Sequence, residues 1–223
     1  MKLYPSILTF SKTKFQKQLD WAIESQVIEV IQVDVVDGYF ADNLTLSPLN
    51  IAQIDYGDLQ LDLHLMTEEP MDFVREIVAL KEYLPVRAVI AQVERMSHQG
   101  EFLAEIKKYS WKAGLSLDLY TPVEAIDPES WQDLDIVQLM TIRAGFQSQE
   151  FKQNALEKLV EIRQLAKSDV EIIVDGGVKI EYIELLAEAE VDGVTVGSGL
   201  WRATNPIQAI KEYSQLMDQT NND

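Results

Sequence analysis

The chain contains no cysteine among its 223 residues. It can therefore form no disulfide, no thiolate metal site and no cysteine nucleophile. Positive charge is also scarce, because 19 lysines and arginines face 37 aspartates and glutamates, for a formal net charge of −18. A field of that sign repels nucleic acids and anionic membranes, so we expect neither as a partner.

Long hydrophobic runs are absent as well. The first ten residues, MKLYPSILTF, carry one lysine and a short apolar stretch, and polar SKTK follows them. That pattern is typical neither of a signal peptide nor of a membrane span, and we expect a cytoplasmic protein. No linker or change of composition divides the chain, which predicts one domain over residues 1–223.

Short runs of Val, Ile and Leu alternate with longer segments of helical period. Most of the runs are apolar on both faces, as parallel strands covered by helices are. Eight such units predict an α/β fold, a single closed (β/α)8 TIM barrel. The alternative is an open doubly wound sheet, but no glycine-rich turn of the kind it normally has follows the first run. The predicted strands are Leu3–Thr9, Val27–Val36, Leu59–Met66, Val86–Val93, Ala113–Leu119, Ile136–Ile142, Glu171–Asp175 and Gly193–Gly197.

Between these strands, apolar side chains recur on one helical face. Pro70 and Pro122 stand where first helical turns would begin. The predicted buried faces consist of Phe15, Leu19, Ala22 and Ile23, of Phe73, Val74, Ile77 and Leu80, and of Leu159, Ile162, Leu165 and Ala166.

Three ionisable residues, Asp34, His64 and Asp175, interrupt otherwise apolar strands. Chemistry in such barrels takes place at the C-terminal ends of the strands. A buried charge is costly unless it is paired or binds a metal, so three converging oxygen and nitrogen donors predict a divalent-metal site. The other candidates at strand ends are Ser6, Gln32, Asp37, Asp62, Gln92, Glu94, Asp118, Met140, Thr141, Arg143 and Ser198.

Each of these three residues also has a purely structural interpretation. His64 alone could be a hydrogen-bonded core histidine, and Asp34 could pair with a base, although Arg143 is the only basic residue at these strand ends. Taken together, the three favour a metal site. The second histidine, His98, stands at a predicted helix start, and we interpret it as a surface residue.

Glycine-containing turns follow the last two strands. Gly176 and Gly177 follow strand seven, and Gly197 and Ser198 follow strand eight. Glycines allow a ligand close to the backbone, and loops seven and eight are the common phosphate site of this fold. The alternative is tight turn geometry alone. Backbone dipoles there act locally, whereas the net charge is screened beyond about 8–10 Å, so an acidic protein could still bind a phosphorylated substrate.

The sequence resembles the ribulose-phosphate 3-epimerases, with matching segments in the same order over nearly the whole chain. The stretch Asn43–Pro48, NLTLSP, is similar to the allulose-6-phosphate 3-epimerase branch of that family. The segments that carry the resemblance are Pro5–Leu8, Asp34–Phe40, Asn43–Pro48, His64–Met66, Met140–Thr141, Gly145–Phe146, Val174–Gly177 and Val196–Ser198.

The resemblance implies a TIM barrel of the ribulose-phosphate-binding type that inverts carbon 3 of a ketose phosphate through an enediolate. It implies a divalent metal, commonly zinc, iron, manganese or cobalt, held by two histidines and two aspartates, of which Asp34, His64 and Asp175 match three. The two aspartates would also act as acid and base. Met66 and Met140 match methionines that cover the enediolate, and Ser6 and the glycine turns would bind substrate. Family members form dimers and larger assemblies, so we expect a homo-oligomer.

This sequence departs from the family pattern at several positions. Gln32 replaces the first metal-binding histidine, and we expect its oxygen to be a fourth, poorer ligand and the metal to bind weakly. On strand four the family's HxE motif is Gln92-Val93-Glu94. The remaining departures are Val36 for a methionine, Tyr39 for a histidine, and Arg143–Gln149 for the phosphate loop NPGFGGQ.

Several functions therefore stay open. The first is a ketose-phosphate 3-epimerase of carbohydrate metabolism, converting ribulose 5-phosphate to xylulose 5-phosphate as in the pentose phosphate route, or acting on allulose 6-phosphate. The second is a non-catalytic or altered barrel that binds a phosphorylated metabolite. A related phosphosugar decarboxylase is disfavoured, because its Asp-x-Lys-x-x-Asp motif would need a lysine between Asp34 and Asp37, where the chain has two valines.

Overall fold

The computed structural model describes residues 1–220, and these form a closed barrel of eight parallel strands in chain order. Strand β1 pairs with both β2 and β8, which confirms the barrel over the open sheet. The last three residues of the predicted 1–223 domain lie outside the described part. The strands are β1 Lys2–Ile7, β2 Val30–Val36, β3 Gln60–Met66, β4 Val86–Gln92, β5 Lys112–Leu117, β6 Ile136–Met140, β7 Glu171–Asp175 and β8 Gly193–Val196.

Helices cover the outside of this barrel. Short 3₁₀ turns also occur, at Val93–Arg95, Val123–Ala125, Ser130–Gln132, Gln153–Glu157 and Ile180–Tyr182. None of the helices described within residues 1–220 is long and apolar enough to cross a membrane. The helices are α1 Lys12–Ser25, α2 Pro48–Ile51, α3 Pro70–Ala79, α4 Gln99–Lys107, α5 Lys158–Leu165, α6 Ile183–Glu188, α7 Ser198–Trp201 and α8 Pro206–Thr220.

The connection from β5 to β6 differs from the predicted strand–helix repeat. Within the described chain it contains two 3₁₀ turns and no α-helix, while two helices follow β8. Pro70 does begin α3, but Pro122 precedes only a single 3₁₀ turn, so the expectation of a regular helix there is wrong. Ile23 and Leu165 are 40% and 45% exposed and therefore lie outside the buried helix faces predicted for them.

The core has an outer and an inner part. The outer part packs the helices against the outward side chains of the strands, and each fully buried aliphatic side chain contributes roughly 1.5–3 kcal/mol. Inside the barrel, a lower apolar layer of Tyr4, Val30, Ala88, Ile90, Ile136 and Ile173 is separate from an upper one around Val36, Met66, Met140, Ile142 and Ala144. Because side chains alternate along a strand, the inward positions between these layers carry the polar residues of β2, β3, β4, β6 and β7.

A buried ion cluster closes the N-terminal end of the barrel. Arg87 donates from Nε to Asp62 Oδ1 at 2.7 Å and lies 3.2 Å from Glu171, which also accepts from Lys112 and Tyr4. Burial opposes the ionisation of Glu171, but the hydrogen bond from Tyr4 and the charges of Arg87 and Lys112 outweigh it and lower the pKa. Asp62 therefore lies at the opposite end from the predicted strand-end site, because it precedes His64 by two positions and pairs with a base on β4.

Candidate active site

The structure brings Asp34, His64 and Asp175 together at the C-terminal end of the barrel. Strand register places Asp34 beside His64 across β2 and β3, while Asp175 ends β7. All three are buried, and one donor atom from each lies within 4.8 Å of the others. His64 Nδ1 is 3.1 Å from Asp34 Oδ1 and 3.7 Å from Asp175 Oδ2.

These groups lie at the floor of a small cavity of about 40 Å³ that opens at the barrel mouth. Its walls come from the ends of strands one, three and six and from the loops after strands six, seven and eight. The predicted substrate contacts all line it: Ser6, Met66, Met140, Gly176, Gly177, Gly197 and Ser198.

Gln32 cross-links the two carboxylates. Its amide nitrogen donates to Asp34 Oδ1 and to Asp175 Oδ2, each at 2.8 Å, while its oxygen accepts from Thr195 Oγ1 at 3.1 Å. The predicted arrangement had the Gln32 oxygen facing a metal. In this structure the nitrogen faces the carboxyl groups instead, because carboxyl oxygens accept hydrogen bonds from an N–H, whereas an amide oxygen offers them no donor.

A second glutamine, Gln138 on β6, was missed in the sequence analysis. Its nitrogen lies 2.9 Å from Asp175 Oδ2 and 3.1 Å from His64 Nδ1, and its buried oxygen has no partner in the described structure. The only signal was its spacing, since Gln138 shares an inward face with Met140 two positions later.

Gln92 contacts the far side of the same imidazole. Its nitrogen lies 3.0 Å from His64 Nε2 and 3.0 Å from Ser116 Oγ. Its oxygen is buried and has no partner within residues 1–220. His64 therefore has the Gln92 amide at Nε2, and both carboxyl groups and the Gln138 amide at Nδ1.

Burial and charge make the two carboxyls unequal. Burial, together with the charge of Asp34, raises the pKa of Asp175 to about 7, while His64 and the hydrogen bond from Gln32 oppose that shift. Two carboxyls that share a site cannot both ionise freely, so near neutral pH Asp175 is the one that retains a proton. The pair thus offers one base and one acid.

The donor set fits a divalent cation. Ligands about 2.1 Å from one ion in a tetrahedral array lie roughly 3.4 Å apart, close to the 3.1 and 3.7 Å from His64 Nδ1 to the two carboxylates. One nitrogen and two carboxylate oxygens suit zinc, manganese or iron, and three protein ligands leave positions for substrate. Gln32 could join the set only if its amide were inverted.

Glycines in the mouth permit close packing of loops. A Cβ at Gly177, whose φ is +66°, would lie 2.7 Å from the backbone nitrogen of Phe151, so this turn is needed to dock loop seven on loop six. A Cβ at Gly197 would lie 2.8 Å from Ser6 Oγ and 3.2 Å from the nitrogen of Gln147. That nitrogen is buried and has no partner in the described part of the chain, and it lines the cavity where the family's loop has glycine.

Several predicted strand-end residues brace loops instead of facing the cavity. Asp37 accepts from the amides of Tyr39, Phe40 and Glu68, and Asp118 accepts from Leu119 and Ala144. Glu94 accepts from the amide of Asp118, Thr141 donates to the carbonyl of Asp175, and Arg143 and His98 are exposed.

Comparison with known proteins agrees with this geometry. The model of the ribulose-phosphate 3 epimerase family matches residues 2–201. A ribulose-phosphate 3-epimerase of Bacillus subtilis is 34% identical over 218 residues, which are 95% of this chain and 97% of that protein. The ribulose-phosphate 3-epimerase of Escherichia coli K12 is 30% identical over 209 residues, 90% of each chain.

Solved structures show the same fold at lower identity. The 3-hexulose-6-phosphate synthase from Salmonella typhimurium matches with a TM-score of 0.71 and 15% identity, over 99% of this chain and all of that one. Such a likeness shows the barrel alone. Because the family match and the two epimerases span nearly the whole chain, this protein belongs to the ribulose-phosphate 3-epimerase family.

Proposed function

We propose that this protein is a ketose-phosphate 3-epimerase of the ribulose 5-phosphate to xylulose 5-phosphate type. The observation that carries the proposal is the buried pair Asp34 and Asp175, which share one cavity and of which Asp175 has its pKa raised to about 7 by burial. Epimerisation removes a proton from one face of carbon 3 and returns one to the other face, and it therefore needs one base and one acid across the carbon.

In this proposal Asp34 takes the proton from carbon 3 and Asp175 delivers one to the opposite face. The reverse reaction exchanges the roles. Met66 and Met140, which are 2% and 3% exposed, give the cavity an apolar wall that keeps water from protonating the intermediate enediolate. Without a cation, Gln32 links the two carboxyls through its two hydrogen bonds.

Asp34, His64 and Asp175 would hold the divalent cation, whose charge would stabilise negative charge on the substrate oxygens. The phosphate would lie against the turns of Gly177 and Gly197, with Gln147 as an added side-chain donor. This local set of donors offsets the repulsion expected from a chain of net charge −18.

The alternative is a barrel that binds a phosphorylated metabolite without catalysis. The bridging amides favour it, since Gln32 and Gln138 satisfy Asp175 without any cation. The allulose 6-phosphate specificity suggested by NLTLSP also remains a proposal.

The deciding experiment measures exchange of the carbon 3 proton in deuterated water. Chelator-treated protein would be given ribulose 5-phosphate or allulose 6-phosphate, with zinc, manganese, cobalt or ferrous iron added in turn. Exchange with one sugar, abolished in Asp34→Asn, supports the epimerase and names its substrate. Binding of either sugar with no exchange under any metal supports the non-catalytic alternative.

A further inference from the structure

Two glutamines of the site each share a hydrogen bond with a hydroxyl group on another strand. Gln32 receives a hydrogen bond from Thr195, and Gln92 donates one to Ser116. A hydroxyl can donate or accept, whereas an amide presents a donor at one end and an acceptor at the other. Either amide can therefore turn end for end and keep its hydroxyl partner.

In the protein without a cation, the partners of His64 determine which of its ring nitrogens carries the proton. Gln92 places a donor 3.0 Å from Nε2, so Nε2 must accept and the proton lies on Nδ1. Nδ1–H then donates to Asp34 at 3.1 Å. Gln138 also points a donor at Nδ1, but a hydrogen bond to a charged carboxylate is about twice as strong as one between neutral groups, so the contact with Asp34 prevails.

A cation bound by Asp34, His64 and Asp175 requires the opposite arrangement, both for the proton of His64 and for the amide of Gln32. It needs the lone pair of Nδ1, so the proton moves to Nε2, where the donor of Gln92 would oppose it. The Gln32 nitrogen, 2.8 Å from both carboxylates, would likewise oppose the cation.

We propose that binding of a divalent cation inverts the side-chain amides of Gln32 and Gln92 and that Gln92 thereby sets the tautomer of His64. After inversion, the Gln92 oxygen accepts from His64 Nε2–H and from the Ser116 hydroxyl. The Gln32 oxygen faces the cation, and its nitrogen donates to Thr195. The two ends of an amide differ little in size, so the change needs no repacking. The unpartnered far end of Gln92 favours neither orientation.

This inference rests on the cation binding of the proposed function and is tested without any assay of activity. The chain has two histidines, and His98 is exposed, so His98→Asn identifies the ring signals of His64 in nitrogen-15 spectra. We expect the Nδ1–H tautomer in chelator-treated protein and the Nε2–H tautomer after one equivalent of zinc. An unchanged tautomer, or a ring with both nitrogens protonated before zinc is added, overturns the inference.

A pair of matched variants tests the role of Gln92 separately. Gln92→Met keeps the length of the side chain but cannot accept from Nε2–H, so zinc affinity in a chelator competition should fall by about 10–100-fold. Gln138→Met removes an equal-sized amide from the other ring nitrogen. It should bind zinc at least as tightly as the unsubstituted protein, because it removes a donor that competes for Asp175.

The outcomes separate this inference from the proposed function. Unchanged zinc affinity in folded Gln92→Met overturns the inference and leaves the epimerase proposal standing. Failure of zinc to bind the unsubstituted protein contradicts both the inference and the metal site. Zinc binding with tautomer inversion but no carbon 3 exchange supports the inference and contradicts the epimerase.

Discussion

The two ends of the barrel interior solve the same electrostatic problem in different ways. At the N-terminal end, Asp62 and Glu171 meet Arg87 and Lys112, so each buried carboxylate has a positive partner. At the C-terminal end, the side-chain partners of Asp34 and Asp175 within residues 1–220 are the amides of Gln32 and Gln138 and the ring of His64. The first end satisfies its charges within the chain, whereas the second retains a negative charge that a cation can neutralise.

The N-terminal end of the interior is arranged to stabilise the fold, and the C-terminal end is arranged for acid–base chemistry. A buried pair that is broken leaves an uncompensated charge, so the N-terminal cluster is expected to dominate stability. A perturbed pKa is what an acid–base site needs, and Asp175 has one because burial and the charge of Asp34 raise it.

Removing either carboxylate at the mouth should abolish most of the activity. Asp34→Asn and Asp175→Asn each eliminate one acid–base group, for an expected loss of about 10²–10⁴-fold in carbon 3 exchange. Asp72→Asn, at an exposed carboxylate on α3, serves as the control and should retain full rate. Activity within about tenfold of normal in either site variant would contradict the two-carboxylate mechanism.

Arg87→Met should make the N-terminal end resemble the mouth, with a buried carboxylate and no base. Asp62, whose side chain is 1% exposed, would lose its partner, and the free energy of unfolding should fall by about 3–5 kcal/mol in urea titrations. Arg75→Met breaks an exposed pair with Asp72 and should cost less than about 0.5 kcal/mol. Equal losses in the two variants would be inconsistent with a structural role for the cluster.

The mouth should make the cation-free protein less stable as pH rises. The folded pKa of Asp175, about 7, lies above its unfolded value, so the native state binds the extra proton between those values. The free energy of unfolding should therefore decrease from pH 5 to pH 8, by an amount on the order of 2 kcal/mol. Denaturation at several pH values measures it. Asp175→Asn should remove this dependence, and an identical slope in that variant would count against the assignment.

Gln32→His should make the mouth better at holding a cation. Imidazole is a better donor than an amide oxygen for zinc-like ions, so zinc affinity should rise by about tenfold or more, and carbon 3 exchange should rise with it. Elemental analysis and the exchange assay measure both quantities. Full zinc occupancy in the unsubstituted protein, unchanged by the substitution, would refute a weakened site.

The smallest effect is expected at the phosphate end of the cavity. Gln147→Ala removes a buried donor that has no partner among residues 1–220, so inorganic phosphate should bind about fivefold more weakly, since such a hydrogen bond contributes about 1 kcal/mol. Gln149→Ala is the matched control, because the Gln149 amide bonds its own loop at the carbonyls of Arg143 and Phe146. Stronger phosphate binding in Gln147→Ala would show that the side chain blocks the site.

Sequence patterns predicted most of the fold, because strands buried on both faces have a distinctive composition. The ends of the predicted strands lie within a few residues of the observed ones, and the polar interruptions at Asp34, His64 and Asp175 indicated the site. Alternation along a strand fixes which face a residue lies on but not its depth, which is why Asp62 was grouped with His64. The helix predicted after Pro122 was wrong because one proline at a favourable position does not supply a buried face.

The orientations of the side-chain amides could not be predicted from the sequence. Gln138 looked like any polar residue near a strand end, and only its spacing from Met140 indicated that it faces inward. The direction of the Gln32 amide depends on Asp175, 143 residues away in the chain. Such contacts exist only once the barrel has closed, and no pattern within a short window contains them.

Closure of the barrel between β1 and β8 also determines the order in which parts of this protein can fold during synthesis. Lys2 and Pro5 find their partners at Gly193 and Val196, and Gln32 meets Asp175 across 143 residues. A nascent chain therefore exposes one flank of β1 until the last strand has left the ribosome. The acid–base pair is assembled at the end of folding, so a cation would stabilise the finished barrel and would not act as a template for its early stages.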